Sequence, residues 1–187
     1  MRIISGRAKG TKLYTLEGQN TRPTLDRVRE ALFNILQNEI ENSIFLDLFA
    51  GSGACGIEAV SRGAKKAILC DKAKPAIEII QKNMEKTHTK EQIELYQMDY
   101  EMVLQTKIKE KLDIIFIDAP YHQTEYVYQA IKLLIEKKLI GEDSIIIIET
   151  DQEKRVKEQI ENLSVEIMDE RKYGRAHLIF LKTNRKG

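Results

Sequence analysis

Asp118, Ala119, Pro120 and Tyr121 follow directly on four apolar residues, Ile114, Ile115, Phe116 and Ile117. The apolar run reads as a strand buried on both faces. It ends by presenting a carboxylate, a small residue, a rigid turn and a phenol ring. A loop holding a turn-forming Asp and Pro is the plain alternative. The chemical reading starts from an exocyclic amine whose lone pair is delocalised into a ring. A carboxylate and a backbone carbonyl that accept hydrogen bonds from such an amine pull it toward pyramidal geometry and aim the lone pair. An aromatic ring stacks on the base once it is flipped out. Asp118 then orients the amine and helps remove its proton, and the Ala119 carbonyl shares the amine. Pro120 sets where that carbonyl lies, and Tyr121 stacks. Most of the acceleration is positioning, with the nitrogen about 3–3.5 Å from the carbon it attacks. This chemistry needs no metal.

A second constellation lies upstream, in "FLDLFAGSGACGIEA". Gly51, Ser52, Gly53 and Gly56 satisfy G-x-G-x-x-G between an expected strand and an expected helix, and Asp71 ends the next strand. The glycines admit close approach of a nucleotide, and the acid suits ribose hydroxyls. Both NAD and S-adenosylmethionine (SAM) carry such a ribose. Charge separates them. Asp47, in the strand just before the loop, would repel the pyrophosphate of NAD but suits the sulfonium and ammonium of SAM. Asp99, ending a third strand in "LYQMDY", can accept from the adenine amine. The balance favours SAM, and the solvated strand-end acid remains the plain reading of Asp47.

These residues need elements to hold them. Strands are expected at 44–49, 66–71, 93–98, 112–118 and 143–149, with helices near 54–62, 74–86, 125–137 and 152–162. Repeated strand–helix units imply a parallel sheet covered on both faces. Ligands then bind at the carboxyl ends of the strands, where strand order reverses. A final pair, 164–169 and 176–182, reads as an antiparallel hairpin. Residues 2–5 and 11–16 suggest a small N-terminal β-hairpin. A helix capped by Thr24 should run through about residue 40, with Val28, Leu32, Ile35 and Leu36 on one face. The expected division is a hairpin extension over 1–20 and a catalytic domain over 21–187.

The chain has 187 residues, 42% of them apolar and 32% charged, with a net charge of +1. That balance suits a single soluble domain. No apolar run approaches a membrane span, and "MRIISGRAKG" lacks the apolar core of a signal peptide. Cys55 and Cys70 lack a CxxC partner, and His88, His122 and His177 stand singly, so neither a disulfide framework nor a zinc site is indicated. A cytoplasmic protein is expected. Residues 1–30 carry seven basic and three acidic side chains, and residues 171–187 carry six basic and none acidic, so the middle holds −9. Basic ends around an acidic body suggest termini that meet a polyanion. Arg2, Arg7, Lys9 and Lys12 are the expected phosphate contacts at the N-terminus.

Several segments resemble one family in order and spacing. "RIISGRAKGTKL", "TRPTLDRVREALFNIL", "LDLFAGSGACGIEAVSRGA" and "IDAPY" are similar to the RsmD family of 16S rRNA guanine-N2 methyltransferases, over essentially the whole chain. The resemblance implies a class I SAM-dependent methyltransferase fold, Rossmann-like, with a seven-stranded mostly parallel sheet ending in an antiparallel hairpin. It implies SAM as donor and N2-methylguanosine at position 966 of the 16S rRNA as product. It further implies that Gly51, Ser52 and Gly53 line the SAM loop, that Asp71 holds the ribose and that Asp99 reads the adenine. Arg22 and Thr24 border the methionine end, and Asp47, Phe49, Lys72, Tyr100 and Asp118 complete the cofactor set. Asp118 through Tyr121 surround the guanine. The family's motif is D/N-P-P-Y/F, and Ala119 replaces its second residue, so the turn loses one fixed φ while keeping the carbonyl. The expected partner is 16S rRNA, in an assembled or assembling 30S particle, met by a monomer without metal or membrane. A DNA or RNA adenine-N6 amino-methyltransferase and a non-catalytic RNA-binding module are the rival readings, with an NAD-dependent oxidoreductase behind them. About thirty residues lie outside the catalytic repeat, too few for a domain that reads duplex sequence, which favours a base presented by folded RNA.

Overall fold

The structure is a computed structural model that describes residues 1–16, 23–120 and 122–184, with side chains undescribed at 23–25. Five parallel strands form the body of the sheet: β1 (Ile44–Asp47), β2 (Lys66–Asp71), β3 (Ile93–Gln97), β4 (Leu112–Ile117) and β5 (Ile140–Thr150). The antiparallel pair β6 (Val165–Tyr173) and β7 (Ala176–Thr183) completes a seven-stranded sheet in the order β3-β2-β1-β4-β5-β7-β6. Successive strands step outward from β1 to β3, then restart at β4 on the other side of β1. The order therefore reverses between β1 and β4, which places the crevice for a ligand above their carboxyl ends.

Helices α1 (Pro23–Ile35), α2 (Ala54–Ser61), α3 (Lys74–Thr87), α4 (Tyr100–Thr106), α5 (Thr124–Glu136) and α6 (Glu153–Ile160) cover the sheet. One core layer joins Val28, Leu32 and Phe33 of α1 and Ile57 of α2 to Phe45, Leu69, Phe116 and Ile147 of the sheet. The opposite layer joins Val103 and Leu104 of α4, Val127 and Ile131 of α5 and Val156 of α6 to Leu46, Ile68, Ile115 and Ile148. The strands are apolar on both faces because both faces are covered. No helix among the described residues is long and apolar enough to cross a membrane.

Four expectations need correction. Helix α1 begins at Pro23, where a missing N–H is harmless, so Thr24 lies in its first turn and not at its cap. It ends at Ile35, and tighter turns carry the chain to Ile40. Helix α4 was not foreseen: Asp99 starts it by accepting the Glu101 N–H at 3.0 Å, an N-cap. At the N-terminus two full strands do not form. The single bridge is Arg2 to Lys12, with main-chain bonds over Met1–Ile3 and Gly10–Leu13. The N–H groups of Ile4 and Ser5 that a ladder would use instead donate to Glu58 on α2, at 2.8 and 3.0 Å.

That segment is packed into the domain. Ile3, Ala8 and Leu13 join the α1–α2 core layer. Ser61 accepts the Ala8 N–H and donates to the Ser5 carbonyl, while Asn83 on α3 accepts from the Tyr14 N–H at 2.7 Å. Gly6 lies so close to α2 that an added Cβ would sit 1.8 Å from the Ser61 carbonyl oxygen. The N-terminus thus rides on the same helix that follows the glycine loop.

Candidate active site

Strand register brings the acids together. Asp47 pairs with Leu69 and with Phe116, and Phe116 pairs with Ile147, so these four residues share one sheet face. Side chains alternate with a period of two along a strand. Two residues onward, Asp71, Asp118 and Glu149 therefore stand on that same face at a common level. Strand β1 ends two residues short of this level, at Asp47, leaving a notch between β2 and β4. Asp71 and Asp118 flank the notch across two strand spacings, roughly 9–10 Å. Asp47 forms its floor and is buried. Past the notch Phe49 turns to the other face, where its ring lies 5.2 Å from Tyr100 and 6.3 Å from Tyr126.

The loop above Asp47 is held by its neighbours. Asp71 accepts the Gly51 N–H at 3.0 Å and the Ala73 N–H at 2.9 Å, one on each oxygen. A carboxylate has about four acceptor sites, so capacity remains for two hydroxyls. Asn83, fully buried, donates to the Ser52 carbonyl at 2.9 Å. Gly51 and Gly53 take φ of +56° and +78°, which L side chains rarely adopt. Among the described residues nothing lies within 4 Å of a Cβ added at Gly51, so a ligand can approach that backbone closely. Gly56 serves packing instead: a Cβ there would meet the buried Leu69 side chain at 2.1 Å, so any larger residue would have to displace it for α2 to rest as closely on β2.

Burial, with the like charges of Asp71 and Glu149, pushes Asp47 up to about 7, against the Phe49 amide that pulls it down from 3.3 Å. Asp118 is pushed up in the same direction by the chain packed around it and by Glu149 and Asp47. Its side chain is nonetheless solvent-exposed at the strand mouth, so water tempers that shift. Glu149, half-buried, is raised by burial. Among the described residues none of Asp47, Asp118 and Glu149 forms an ion pair. The site thus gathers acids with no basic side chain to pair them, so they hold protons more tightly than usual, beside a loop open to a ligand. That donor set fits SAM, whose sulfonium and ammonium are cationic, and it disfavours a pyrophosphate.

The sign of the Asp47 shift has a consequence for stability. An aspartate titrating near 3.8 when unfolded and near 7 when folded holds its proton more tightly in the folded chain. Its contribution to stability is full below about pH 4 and is lost as pH rises to about 7, by roughly 4 kcal/mol for such a shift. Asp47→Asn cannot ionise. Relative to wild type, its thermal midpoint should rise progressively between about pH 4 and pH 7. A difference independent of pH would mean that Asp47 does not titrate in this range.

The remaining expected residues sort as follows. Gly51, Ser52, Gly53, Asp71 and Asp118 meet at the notch with Asp47. Asp99 is half-buried at the start of α4 with one oxygen used as the cap, and Tyr100 behind it is buried, its hydroxyl donating to Glu101 at 3.1 Å. Lys72 is exposed beside Asp71. The Pro120 carbonyl accepts the Gln123 N–H at 3.0 Å, leaving the Ala119 carbonyl as the acceptor the motif has to offer. Arg22 and Tyr121 lie outside the described residues, as does the Thr24 side chain. Arg2, Arg7, Lys9 and Lys12 are exposed on the N-terminal segment, whose Met1 sulfur accepts from the Ser52 hydroxyl of the glycine loop at 3.5 Å, and Arg7 is hydrogen-bonded to Gln92. Sequence reasoning missed Glu149 and Asn83. Glu149 carried the same signal as its neighbours, an acid ending an apolar strand in "IIIIET"; Asn83 carried only the faint signal of an amide on the apolar side of α3.

Known proteins place this arrangement. The profile of a family described as Conserved hypothetical protein 95 matches residues 1–182. A Haemophilus influenzae protein named ribosomal RNA small subunit methyltransferase D is 38% identical, over 82% of this chain and 80% of its own length. The solved structure of the Escherichia coli protein yhhF aligns with a TM-score of 0.83 and 29% identity, covering 98% of each chain. A methyltransferase structure named SMU.776, solved with SAH, is 20% identical over 84% of this chain and 48% of its own, with a TM-score of 0.69, which shows a shared fold. The fold is the class I SAM-dependent methyltransferase fold. By sequence and by structure alike, the chain belongs to the RsmD family, the family described as Conserved hypothetical protein 95.

Proposed function

We propose that the chain transfers a methyl group from SAM to the exocyclic N2 of a guanine in 16S rRNA, at the position 966 type of site. The observation that carries the reading is the row of acids, unpaired among the described residues, at the switch point, flanked by the glycine loop on one side and by Asp118-Ala119-Pro120 on the other. The names of the relatives, small-subunit rRNA methyltransferases, support the substrate class.

SAM would lie across the carboxyl ends of β1, β2 and β3 and supply a methyl group bonded to a positively charged sulfur. Asp71 takes the ribose hydroxyls, Asp99 the adenine amine with its free oxygen, and Asp47 balances the cationic end. Phe49 and Tyr100 form the apolar wall on the α4 side, and Lys72 lies at the outer rim beside Asp71. Arg22 and Thr24 are assigned to the methionine end by the family resemblance. Asp118 and the Ala119 carbonyl accept from the two amine hydrogens, which directs the lone pair away from the ring. When nitrogen gains its fourth bond, Asp118 is the nearest group able to take the surplus proton, and its raised affinity for a proton suits that role. Tyr121 is assigned the stacking partner of the base.

The N-terminal segment is the proposed RNA grip. Arg2 and Lys12 stand opposite each other in the antiparallel bridge, an unfavourable pairing of like charges that a phosphate would relieve. Arg2 and Lys9 also line one cleft with Arg27 of α1, where Asp26 and Glu30 offset part of the positive charge. Arg7 uses one donor on the neutral Gln92 side chain and keeps its charge and remaining donors for a phosphate. At the other end of the chain Arg171 is paired with Asp169 at 2.9 Å, which weakens the case for the C-terminal hairpin. Neutralising Arg2, Lys9 and Lys12 together should reduce the slope of log affinity against log salt by about two to three units, with SAM affinity unchanged. Equal slopes would move RNA recognition elsewhere.

The function itself is tested by incubating the protein with SAM and either deproteinised 16S rRNA or 30S particles from cells lacking the modification, then weighing the nucleosides. N2-methylguanosine is the expected product. N6-methyladenosine would install the amino-methyltransferase alternative, and no methylated nucleoside would favour a binding module. A monomer acting in the cytoplasm on a 30S particle completes the proposal.

A further inference from the structure

We infer that Glu149 is a specificity-determining residue that reads the N1–H of the target guanine while Asp118 handles its N2 amine. The inference rests on the proposed guanine substrate and extends it to a residue on a neighbouring strand.

The geometry comes from the sheet. Ile117 pairs with Ile148 in the parallel β4–β5 ladder, so Asp118 and Glu149 are the next pair along. Neighbouring strands run about 4.8 Å apart, and paired residues project to the same face. Asp118, one residue past the end of β4, and Glu149 therefore stand side by side at the mouth of the notch, close enough for the charge of Glu149 to act on Asp118. On its other side Glu149 is paired with Leu178 of β7, an apolar neighbour that offers no hydrogen bond. Among the described residues the Glu149 carboxylate has neither a hydrogen-bond partner nor a salt bridge. It is half-buried at the end of a strand whose preceding four residues are buried, so its backbone is fixed while its side chain is unspent.

Guanine presents two adjacent donors on its Watson–Crick edge, N1–H and N2–H, directed side by side. An ionised carboxylate is an acceptor only. Two carboxylates side by side thus match guanine, one for each donor. Adenine carries an acceptor at N1, which would face the Glu149 oxygens lone pair to lone pair. Sites built to bond a particular hydrogen reject the analogue that lacks it far more strongly than shape alone allows. Asp118 and the Ala119 carbonyl would treat any exocyclic amine alike. Glu149 supplies the discrimination between amines that the DAPY segment lacks.

The test uses the full-length protein with two 16S rRNA substrates differing only at the target base, guanine or 2-aminopurine. 2-Aminopurine keeps the N2 amine but has an acceptor at N1. Glu149→Gln is isosteric and its side-chain amide can donate to that acceptor. Wild type should prefer guanine in kcat/KM, and Glu149→Gln should lower the guanine to 2-aminopurine ratio by at least about tenfold, the scale of one buried charge-assisted hydrogen bond. The missing O6 of 2-aminopurine affects both proteins and cancels in the comparison. The variant should still bind SAM by calorimetry, showing an intact site, and both rates are read at saturating SAM so that any affinity lost with one acid cancels in the ratio. A ratio that changes by less than tenfold, with both substrates slowed alike, would overturn the inference and leave Glu149 a structural acid. Absence of transfer from wild type to the guanine substrate would instead overturn the substrate reading, and this inference with it.

Discussion

Asp118→Ala should lower methyl transfer to rRNA by about 10²–10⁴-fold, the range that a positioned acid–base group contributes, while SAM still binds. The expected separation follows from where the residue stands. Asp118 lies just beyond the last residue of β4, on the far side of the notch from the glycine loop and Asp71. Its carboxylate forms no ion pair among the described residues, so its removal strands no partner charge. It also relieves Asp47 of a like charge, which should leave the fold at least as stable. Asp118→Asn is the informative companion. The amide oxygen still accepts from the amine but takes no proton readily, so rates should fall between those of wild type and the alanine variant. Single-turnover rates with saturating SAM, beside calorimetric SAM affinities, read the two functions separately. Near-native turnover in Asp118→Ala would remove this residue from the mechanism. Equal losses of SAM affinity and turnover would instead make it a cofactor residue.

The parts of this site that sequence revealed are those written in local patterns. Ile114 to Ile117 followed by Asp118 announces a buried strand with an acid at its end, and Gly51, Gly53 and Gly56 between strand and helix announce a nucleotide loop. Both rest on neighbours in the chain. What sequence could not supply was the alignment between strands. That Asp71, Asp118 and Glu149 stand level, with Asp47 one pleat repeat below, depends on registers such as Asp47 with Phe116 and Ile117 with Ile148. Such pairings join residues far apart in the chain, and no local pattern encodes them. Helix α4 was overlooked because it spans only Tyr100–Thr106 and has few positions in which to show a period. Its start was nevertheless marked by Asp99 and by Glu101 in the first turn, a capping signal that outranks periodicity in short helices.

The N-terminal segment shows the same limit from the other side. Its glycines and alternating apolar residues suggested a self-contained hairpin, since hairpin signals are local. Its hydrogen bonds are mostly not local. Ile4 and Ser5 donate to Glu58, Ala8 donates to Ser61, and Tyr14 exchanges bonds with Asn83, all more than fifty residues away. An acid inside "ACGIEAVS" reads from sequence as an exposed helical position. The structure buries it completely and uses it as the dock for the N-terminus.

Glu58→Ala should accordingly be the most destabilising single change in the region, costing about 3–5 kcal/mol, as expected when one partner of a buried ion pair is removed. Both carboxylate oxygens are committed. One accepts the Ile4 N–H at 2.8 Å; the other accepts the Ser5 N–H at 3.0 Å and the Arg62 Nε at 2.8 Å. Arg29, itself buried, lies 3.9 Å away with its Nε otherwise unpartnered, while its Nη2 bonds the Arg2 carbonyl and Asp26. Removing the acid leaves the Ile4 and Ser5 N–H groups and the Arg62 Nε without an acceptor and takes the facing carboxylate from the buried Arg29 Nε. For a chain of this length the thermal midpoint should fall by about ten degrees. Glu58→Gln keeps one acceptor oxygen and the shape, so it should fall less. Hydrogen exchange distinguishes the local from the global consequence: the Ile4 and Ser5 amides should lose protection in Glu58→Gln before the β1 and β4 amides do. Because Arg2 and Lys9 ride on this segment, the same variant should bind rRNA more weakly while its SAM affinity is retained. Unaltered protection at Ile4 and Ser5 would mean that apolar packing of Ile3, Ala8 and Leu13, and not Glu58, fixes the N-terminus in place.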